Sequence, residues 1–479
     1  MGHLMRTLAV ADAARELGWH VRIVGDLDPA ARDVAARLAP GVDVRSASGA
    51  DLHRDIERSA LDVDVVHLDT YWEVPDLATS TALVSNMQDG AYGVRAADLA
   101  IDANLGSERS FVSPQLSRSH LAGIDAAVVR AQVLRRRDRE EPAAGPASVL
   151  VVMGGTDPQG LTPRVIAALD GIRMPLQVTV VDPRARPEVR SAAATSAHRV
   201  EVIGFAPDLP ALARRHDLAV TAAGTSVWDF ACMGLPMALV CVVDNQRIGY
   251  REVVGRGLAA GLGEPPHDDL ERLVARLGDT LGDRDELARE GERLRRSVDG
   301  LGTWRILSAW EQLTTVPPVS TDRRGASSRP ATLDDALVLF EWRNDPATRG
   351  SSRSQDPLDW EDHRAWVART IGDPDRRLLI VEAEGVPVGT CRWDRHGDTD
   401  WEVSITVAPE QRGRGLASSV LAAAEEALDV ASPSRLIAVV HADNAASLKL
   451  FQRAGYLPQT PPDERGFLTL ARWRLAPTL

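Results

Sequence analysis

The sequence predicts an α/β protein of about three units, and three observations support this. The chain has 479 residues, and a typical domain takes about 100–150. From Leu8 to about Leu313, short β-rich runs alternate with amphipathic stretches, as in parallel α/β folds. The segment Thr314–Ser328 is rich in Pro, Ser and Thr and has no apolar period, which indicates a linker before a further α/β domain.

The secondary structure of the first region is predicted from apolar runs bounded by turn residues. The predicted strands are His20–Val24, Val63–Leu68, Leu99–Ile101, Ser148–Met153, Leu176–Val181, Arg199–Ile203, Leu218–Thr221 and Met237–Val242. Helices are predicted between them, for example Leu8–Leu17 and Thr162–Leu169.

The polar segment Arg136–Ala147, which contains Pro and is rich in Ala, divides the first region into two lobes of similar size. We therefore predict a first lobe at 1–140, a second lobe at 141–315, a linker at 316–327 and a separate domain at 328–479.

Composition excludes several classes of function. The formal net charge is −13, which argues against a nucleic-acid partner because polyanions are recruited by clustered positive charge. The sequence has no run of 18 or more apolar residues and no basic-then-apolar leader, so we predict a cytoplasmic protein with no membrane partner. The three cysteines lack metal-ligand spacing, which favours reduced thiols. Lys449 is the only lysine, so no residue before it can be a Schiff-base or phosphate-loop lysine.

Four segments of the first region suit a phosphorylated ligand. Residues 2–6 (GHLMR) precede the first predicted helix, 153–158 (MGGTDP) and 222–229 (AAGTSVWD) each link a strand to a helix, and 244–246 (DNQ) follow an apolar strand. Backbone N–H groups at helix starts, small residues and hydroxyls can together hold a diphosphate at strand ends. Each segment alone is more often an ordinary turn or helix cap, but their order and spacing together indicate a site.

In that order the segments resemble the UDP-2,4-diacetamido-2,4,6-trideoxy-β-L-altropyranose hydrolases of pseudaminic acid synthesis and the related spore-coat polysaccharide proteins. Both lie in the two-lobed GT-B superfamily that includes the MurG transferase. The resemblance covers roughly residues 1–315 and rests on 2–6, 69–71 (DTY), 123–130 (GIDAAVVR), 154–158 and 244–246. It implies two Rossmann-type lobes around a cleft in which water breaks the anomeric bond of a UDP-sugar.

The resemblance also implies roles for individual residues. His3 would be the general acid/base for the attacking water, and Tyr71 and Asn245 would line the sugar site. The other implied substrate-binding residues are Gly2, Arg6, Gly155, Gly224, Thr225, Ser226, Asp229 and Gln246. In that set the Gly-Thr-Ser turn would hold the diphosphate at a helix N-terminus, and Asp229 occupies the family's acidic position.

The residues themselves agree with this chemistry. Imidazole side chains titrate near neutrality, which suits proton removal from water at cytoplasmic pH. Oriented N–H dipoles can stabilise a leaving diphosphate. Because no Asp-X-Asp motif stands at a strand end, we predict a site without a metal.

The sequence departs from the family pattern at three points. The family's Asp-Asp-Leu segment is replaced by residues 85–90 (SNMQDG), which leaves the sugar's identity open, and Asp229 stands for the usual Glu. The family's signature turn follows a first β-strand, whereas here only Met1 precedes Gly2. A missing central strand would leave buried backbone groups unpaired, at roughly 1–3 kcal/mol each. We therefore expect the true start roughly 10–20 residues upstream. The alternative is a truncation with a weakened hydrolase.

The second region carries a Gly-rich turn, residues 411–417 (QRGRGLA), between a predicted strand Glu402–Val407 and a predicted helix Ala417–Leu428. Such a turn offers consecutive N–H groups to a diphosphate, and its arginines add charge. It resembles the acetyl-CoA-binding motif of GNAT N-acetyltransferases, and the resemblance covers the whole of residues 328–479.

Two further segments support the GNAT resemblance. Residues 444–451 (NAASLKLF) with Gly455-Tyr456 resemble the family's second cofactor-side element. Residues 342–346 (WRNDP), with His363 and Trp366, resemble the subfamily that acts on aminosugar nucleotides or protein N-termini.

The GNAT resemblance implies acetyl-CoA as co-substrate, held by Val407, Arg412, Gly413, Arg414, Gly415, Ala417, Asn444 and Ser447. An amine attacks the thioester directly while a base removes a proton. Glu402 is the candidate base, although it could equally be a surface-facing strand residue. Many members place Tyr where Phe451 stands, and Phe cannot donate a proton. Tyr456 is therefore the candidate acid, unless the thiolate leaves unassisted.

Together the two resemblances predict a bifunctional enzyme. In pseudaminic acid synthesis a 4-amino group of a UDP-sugar is acetylated and the product is then hydrolysed, so a fusion indicates one pathway. Three alternatives stay open: a metal-independent glycosyltransferase, a catalytically dead sugar-nucleotide module serving the acetyltransferase, and a peptide or ribosomal-protein acetyltransferase. The sugar's configuration and the oligomeric state are left undetermined.

Overall fold

A computed structural model describes residues 2–77, 80–137, 146–155, 157–316, 318, 325–429 and 433–475. The chain divides into two compact units, one of residues 1–112 with 121–307 and one of residues 113–120 with 308–479. Thr156, most of the predicted linker 316–327 and residues 138–145 of the predicted lobe break lie outside the described residues.

The strands are β1 (Arg22–Gly25), β2 (Asp43–Ser46), β3 (Val65–Leu68), β4 (Leu83–Met87), β5 (Ala97–Asp102), β6 (Ser117–Ala122), β7 (Ala147–Val152), β8 (Leu176–Val181), β9 (Arg199–Ile203), β10 (Leu218–Ala222), β11 (Met237–Val240), β12 (Ala260–Gly261), β13 (Ala326–Pro330), β14 (Arg376–Ala383), β15 (Val386–His396), β16 (Asp400–Val407), β17 (Ser434–His441), β18 (Leu457–Pro458) and β19 (Phe467–Arg474).

The helices are α1 (Gly2–Glu16), α2 (Pro29–Leu38), α3 (Gly49–Ser59), α4 (Ser107–Ser110), α5 (Ala131–Leu134), α6 (Thr162–Leu169), α7 (Pro187–Thr195), α8 (Leu209–Ala213), α9 (Ser226–Met233), α10 (Arg247–Gly255), α11 (Leu270–Ala275), α12 (Leu277–Gly282), α13 (Arg284–Ser297), α14 (Gly302–Thr315), α15 (Ala336–Asn344), α16 (Pro346–Gly350), α17 (Trp360–Ile371), α18 (Ala417–Ala427) and α19 (Ala445–Arg453).

The best-formed sheet of the first unit is parallel, in the order β12-β11-β10-β7-β8-β9. Val149 and Val151 of β7 pack into one hydrophobic core, and Leu150 and Val152 pack into another. Both faces of this strand are therefore covered, which explains its continuous apolar sequence. The loops after β7, β10 and β11 share the edge at the strands' carboxyl ends, where open α/β sheets bind ligands.

The strands that precede β7 in the chain form two smaller sheets. β1 and β2 pair in parallel, and a second sheet has the order β3-β4-β5-β6, with β3, β4 and β5 parallel. In β4, Val84–Met87 are buried on both faces.

The second unit contains one sheet in the order β13-β14-β15-β16-β17-β19-β18. Its neighbours pair antiparallel except for β16 and β17. These two parallel strands are joined only where Asp400–Val403 face Arg435–Ala438. Beyond these residues β16 pairs with β15, and β17 pairs with β19. A wedge therefore opens in the sheet beside Ser404.

The α/β class predicted for both regions is confirmed. Strands β8 and β9 and helix α6 have the predicted bounds, whereas β2, β4, β6 and β12 were not predicted. Two expectations need correction. Helix α1 begins at Gly2, so the Gly-His segment is the helix's first turn and not a turn before it. Strand β13 begins at Ala326, inside the predicted linker. In the described part of the chain no helix is long and apolar enough to cross a membrane.

Candidate functional sites

The first candidate site is built around His3 in the first turn of α1. Its Nδ1 lies 2.7 Å from Oδ1 of Asp69, which follows β3 directly. Asp69 is only 2% exposed, whereas the His3 side chain is 36% exposed. A buried carboxylate at Nδ1 fixes the orientation of the ring and leaves Nε2 as the atom that can reach solvent.

Arg6 supports this pair from one helical turn further on. Its Nε and Nη2 donate to the two oxygens of Asp69 at 2.8 and 2.6 Å, and its Nη1 donates to Asp89 at 2.9 Å. Burial alone would raise the pKa of Asp69, but the guanidinium outweighs burial and holds that pKa well below its ordinary value. Two carboxylates bind the guanidinium of Arg6 in this structure, and its predicted contact with substrate stays a prediction.

Tyr71 stands beside the same network. Its ring packs edge-on against His3 with centroids 4.4 Å apart, and its hydroxyl donates to Asp89 Oδ2 at 2.5 Å. Burial and the nearby Asp89 raise the pKa of Tyr71 above its ordinary value, so it stays a hydroxyl donor. Asn245 Nδ2 donates to the Tyr71 hydroxyl at 3.1 Å. The structure thus brings together the three predicted residues His3, Tyr71 and Asn245.

The loops at the parallel-sheet edge complete the site. The space where a Cβ of Gly2 would lie is 4.0 Å from Cγ2 of Thr225, and the corresponding space at Gly224 is 3.6 Å from Gln246 Nε2. Ser226 opens helix α9, and Gly155 lies exposed after β7. Thr225 of the Gly-Thr-Ser turn therefore lies near Gly2, the residue before His3, and diphosphate binding by this turn stays a prediction.

Asp229, predicted at the nucleotide, has a partner inside the protein. It is 8% exposed, and its Oδ2 accepts from Nε and Nη2 of Arg130 at 3.0 and 2.7 Å. This ion pair joins α9 to the segment before α5, and the predicted contact of Asp229 with the nucleotide stays a prediction.

Asp89, Asp102 and Asn104 were missing from the predicted site, and Asp69 had been given no role. Asn104 Nδ2 donates to both Asp89 and Asp102, and burial raises the pKa of Asp102 to about 6. The sequence carried one hint of these residues, since Asp89 lies within residues 85–90, the segment that departs from the family pattern. In the described part of the chain, no three His, Cys, Asp or Glu side chains are placed to hold a metal ion.

The second candidate site starts at the Gly-rich turn between β16 and α18. Gly413 and Gly415 have φ of +76° and +74°, a conformation that favours glycine. The space where a Cβ of Gly413 would lie has no atom within 4 Å, so the turn is open. Val407 ends β16 beside it and Ala417 begins α18. An exposed turn of this kind can present backbone N–H groups to an anion.

The polar side chains predicted around this turn have partners inside the protein. Arg412 donates to Asp345 Oδ1 at 2.6 Å and to Thr348 Oγ1, and Arg414 Nη1 donates to Gln411 at 2.9 Å. Asn444 accepts from the backbone of Ser447 at 3.1 Å and caps α19. These contacts give each side chain a structural role at the turn or at a helix end.

A cavity of about 400 Å³ lies on the sheet face that carries Thr390 and Arg392 of β15 and Ser404 and Thr406 of β16. Helices α15 and α17 close it with Trp342 and Trp366. Because Ser404 and Thr406 belong to the part of β16 that has parted from β17, the cavity borders the wedge in the sheet. An acceptor molecule in this cavity would meet a ligand arm that enters the wedge.

Two predicted catalytic residues lie apart from that cavity's lining. Tyr456 is 0% exposed and donates its hydroxyl to Glu425 Oε1 at 2.7 Å. Burial and Glu425 raise the pKa of Tyr456 well above its ordinary value. The prediction of Tyr456 as the acid is wrong, because a core tyrosine bonded to a carboxylate cannot reach a leaving group. Glu402 accepts from Arg353 Nη2 at 2.8 Å and lies 3.5 Å from His396 Nε2.

Comparison with known proteins finds similarity to acetyltransferases, to a polysaccharide biosynthesis protein and to a sugar transferase. Residues 328–457 match the family model of the acetyltransferase (GNAT) domain. The chain is 31% identical over 134 residues to the uncharacterized N-acetyltransferase YfmK of Bacillus subtilis, covering 28% of this chain and 86% of that protein. It is 24% identical over 248 residues to the spore coat polysaccharide biosynthesis protein SpsG of Bacillus subtilis, covering 49% and 70%.

The chain is also similar to a sugar transferase. The chain is 26% identical over 337 residues to the UDP-N-acetylglucosamine--N-acetylmuramyl-(pentapeptide) pyrophosphoryl-undecaprenol N-acetylglucosamine transferase of Shewanella piezotolerans, covering 61% of this chain and 89% of that protein.

Proposed function

We propose that this chain, which belongs to the GNAT acetyltransferase family and also carries a glycosyltransferase-like sugar-nucleotide module, is a bifunctional nucleotide-sugar enzyme. Its first unit hydrolyses a UDP-linked (di)acetamido-trideoxy sugar to UDP and free sugar. Its second unit transfers an acetyl group from acetyl-CoA to the amine of an amino-sugar nucleotide. The observation that carries the first assignment is the His3–Asp69 pair beside Tyr71 and the Gly-Thr-Ser turn.

The geometry of the first site supports attack by water. Nε2 of His3 takes a proton while the water oxygen bonds to the anomeric carbon, and the bond from that carbon to the UDP oxygen breaks. Asp69 compensates the charge of the imidazolium, as in other His–Asp pairs. N–H groups and hydroxyls of Gly224–Ser226 receive the leaving diphosphate at the start of α9. Tyr71 and Asn245 line the sugar's side of the site.

The second site supports acetyl transfer in the same way. The Gly413–Gly415 turn would hold the diphosphate of acetyl-CoA with backbone N–H groups. The wedge between β16 and β17 leaves room for the thioester arm next to Ser404, and the adjoining cavity would hold the amine. Direct transfer needs the amine and the thioester in this proximity.

The test follows two products separately. The full chain is incubated with acetyl-CoA and a UDP-4-amino-sugar, and CoA and UDP are measured over time. We expect CoA release that depends on the amine, and UDP release from the acetylated sugar. Gly413→Asp should weaken acetyl-CoA binding, because it adds a carboxylate where the diphosphate binds and strains a positive φ. It should leave intact the release of UDP from a UDP-sugar that is supplied already acetylated. Loss of both products in that variant would contradict two independent sites.

A second function for the first unit is favoured by the match to a sugar transferase. In that case a hydroxyl of an acceptor molecule replaces water in the same cleft. UDP release that requires an added acceptor would establish the transferase, whereas UDP release in buffer alone would establish the hydrolase.

A further inference from the structure

The cavity of the second unit contains one histidine in an unusual setting. His363 lies on α17, is 5% exposed, and lines the cavity with Trp366 from the next turn. Its Nε2 is buried and has no hydrogen-bond partner among the described residues. A buried polar atom without a partner costs about 1–3 kcal/mol, so such an atom on a residue that lines a cavity points to a ligand.

The other ring nitrogen of His363 is engaged. The ring hydrogen-bonds to the backbone of Ala336 at the start of α15, and Nδ1 is the nitrogen available for that bond. A backbone carbonyl accepts only a hydrogen, so Nδ1 carries the proton in the neutral ring. Nε2 then carries the lone pair, on a residue that lines the cavity.

The charges around the cavity keep this ring neutral. Burial and the guanidinium of Arg343 lower the pKa of His363 below its ordinary value of 6.5. The charged groups that line the cavity with it are Arg343, Asp362 and Arg392. Nη1 of Arg343 is buried without a hydrogen-bond partner among the described residues, and Arg392 stacks its guanidinium on Trp366 at 5.4 Å. Two cations also disfavour an ammonium ion, so an amine that binds here does so uncharged.

We infer that His363, through Nε2, is the catalytic base that takes the proton of the attacking amine during acetyl transfer. This inference rests on the proposed acetyltransferase activity of the second unit. It gives His363 the role that the sequence had suggested for Glu402, whose carboxylate is bound by Arg353 and which does not line the cavity.

The step balances with no further reactant. The amine nitrogen bonds to the thioester carbonyl carbon and becomes positively charged, and its excess proton moves to Nε2 of His363. The carbon–sulfur bond breaks and its electron pair leaves on sulfur as the thiolate. The imidazolium, repelled by Arg343, then gives its proton to the thiolate. The products are the acetamide and the free thiol, and His363 is neutral again.

The test compares His363→Gln and His363→Ala with the wild type in CoA release, using a UDP-4-amino-sugar and a panel of simple primary amines. We expect both variants to lose about 10²–10⁴-fold in turnover while acetyl-CoA affinity, measured by calorimetry, stays within twofold. Added imidazole should restore part of the activity of His363→Ala, which a structural role would not allow. Arg364→Gln, an exposed neighbour on α17, is the matched control.

The pH profile gives a second readout. In the wild type the acid limb of turnover should lie below pH 6.5, since the base must be unprotonated, and this limb should vanish in His363→Gln. Full activity of His363→Gln, or loss in Glu402→Gln with the acid limb kept in His363→Gln, would overturn the inference and leave the acetyltransferase assignment standing. If the wild type acetylates no amine while binding acetyl-CoA, the proposed function fails, and the inference fails with it.

Discussion

The two units place a histidine in opposite surroundings. In the first unit, His3 is held by the carboxylate of Asp69, which Arg6 fixes in turn. In the second unit, His363 is held by a backbone carbonyl group and faces the guanidinium of Arg343. The first ring is partly exposed at the chain's first helical turn, and the second is buried in an aromatic cavity.

The difference corresponds to the chemistry proposed for each unit. Attack by water generates an imidazolium next to a departing diphosphate, and a carboxylate compensates that positive charge. An amine attacking a thioester sheds its proton only after the new bond forms, when the nitrogen is strongly acidic. A neutral base flanked by cations suffices there and quickly releases the proton. We therefore expect changes at the two histidines to have separate effects.

The largest expected effect is that of His3→Gln. Glutamine keeps a polar side chain in α1 but cannot accept a proton, so UDP release should fall about 10²–10⁴-fold. CoA release should match the wild type. His20→Gln, an exposed histidine of the same lobe, is the control. A His3→Gln variant that releases UDP at the wild-type rate would favour a role for this unit that does not use His3.

Asp69→Asn should come next. The amide removes the fixed orientation of His3 and leaves Arg6 buried beside a neutral partner, so UDP release should fall by up to the same factor. Arg6 keeps Asp89 as a charged partner, so the unfolding free energy should drop by about 1–3 kcal/mol. Activity measured well below the melting temperature separates the two effects.

The control for Asp69→Asn is Thr7→Val. This variant removes only the 3.4 Å contact of the Thr7 hydroxyl with Asp69 and should change neither quantity much. If Asp69→Asn loses stability but keeps its kcat, Asp69 is structural and the comparison of the two histidines breaks down.

The two units also show which features of the fold and of the sites could be predicted from the sequence. The run Leu176–Val181, which is rich in valine and alternates buried with less buried residues, gave a strand with correct bounds, because such alternation is typical of a strand. The glycine turn at 413–415 was predicted because its conformation depends on residue type.

Partners distant in sequence could not be predicted in this way. Asp69 lies 66 positions from His3, and no periodicity links them. Tyr456 belongs to a segment that resembles the family's second cofactor-side element, yet its ring is buried in the core. Whether a charged side chain serves a ligand or a buried ion pair, as with Arg6 and Asp229, depends on tertiary contacts that only the fold specifies.

A smaller effect, on the pH dependence of folding stability, is expected from the burial of His363. Its pKa is lowered in the folded chain, so below pH 6.5 the unfolded chain binds a proton that the folded chain does not. Stability should therefore be lost as pH falls from 6.5 towards the folded pKa, by at most about 1.4 kcal/mol per pH unit. Denaturant unfolding of wild type and His363→Gln at pH 7.5 and 5 isolates this contribution. An equal pH dependence in both proteins would mean that burial does not disfavour the charged ring.

The smallest effect on UDP release is expected from the removal of metal ions. The first site contains the carboxylates of Asp69, Asp89 and Asp102, of which Asp89 is partly exposed, and such a group could suggest a divalent ion. Their oxygens are instead bound by Arg6, by the Tyr71 hydroxyl, by Asn104 and by the backbone of Gly90. A cation at these oxygens would have to displace donors that also orient His3.

We therefore expect UDP release to be the same with EDTA as with added Mg²⁺ or Mn²⁺, measured on the full chain with the UDP-sugar alone. Activity lost in EDTA and restored by either ion would mean that these carboxylates serve a metal and that the His3–Asp69 pair rearranges when substrate binds.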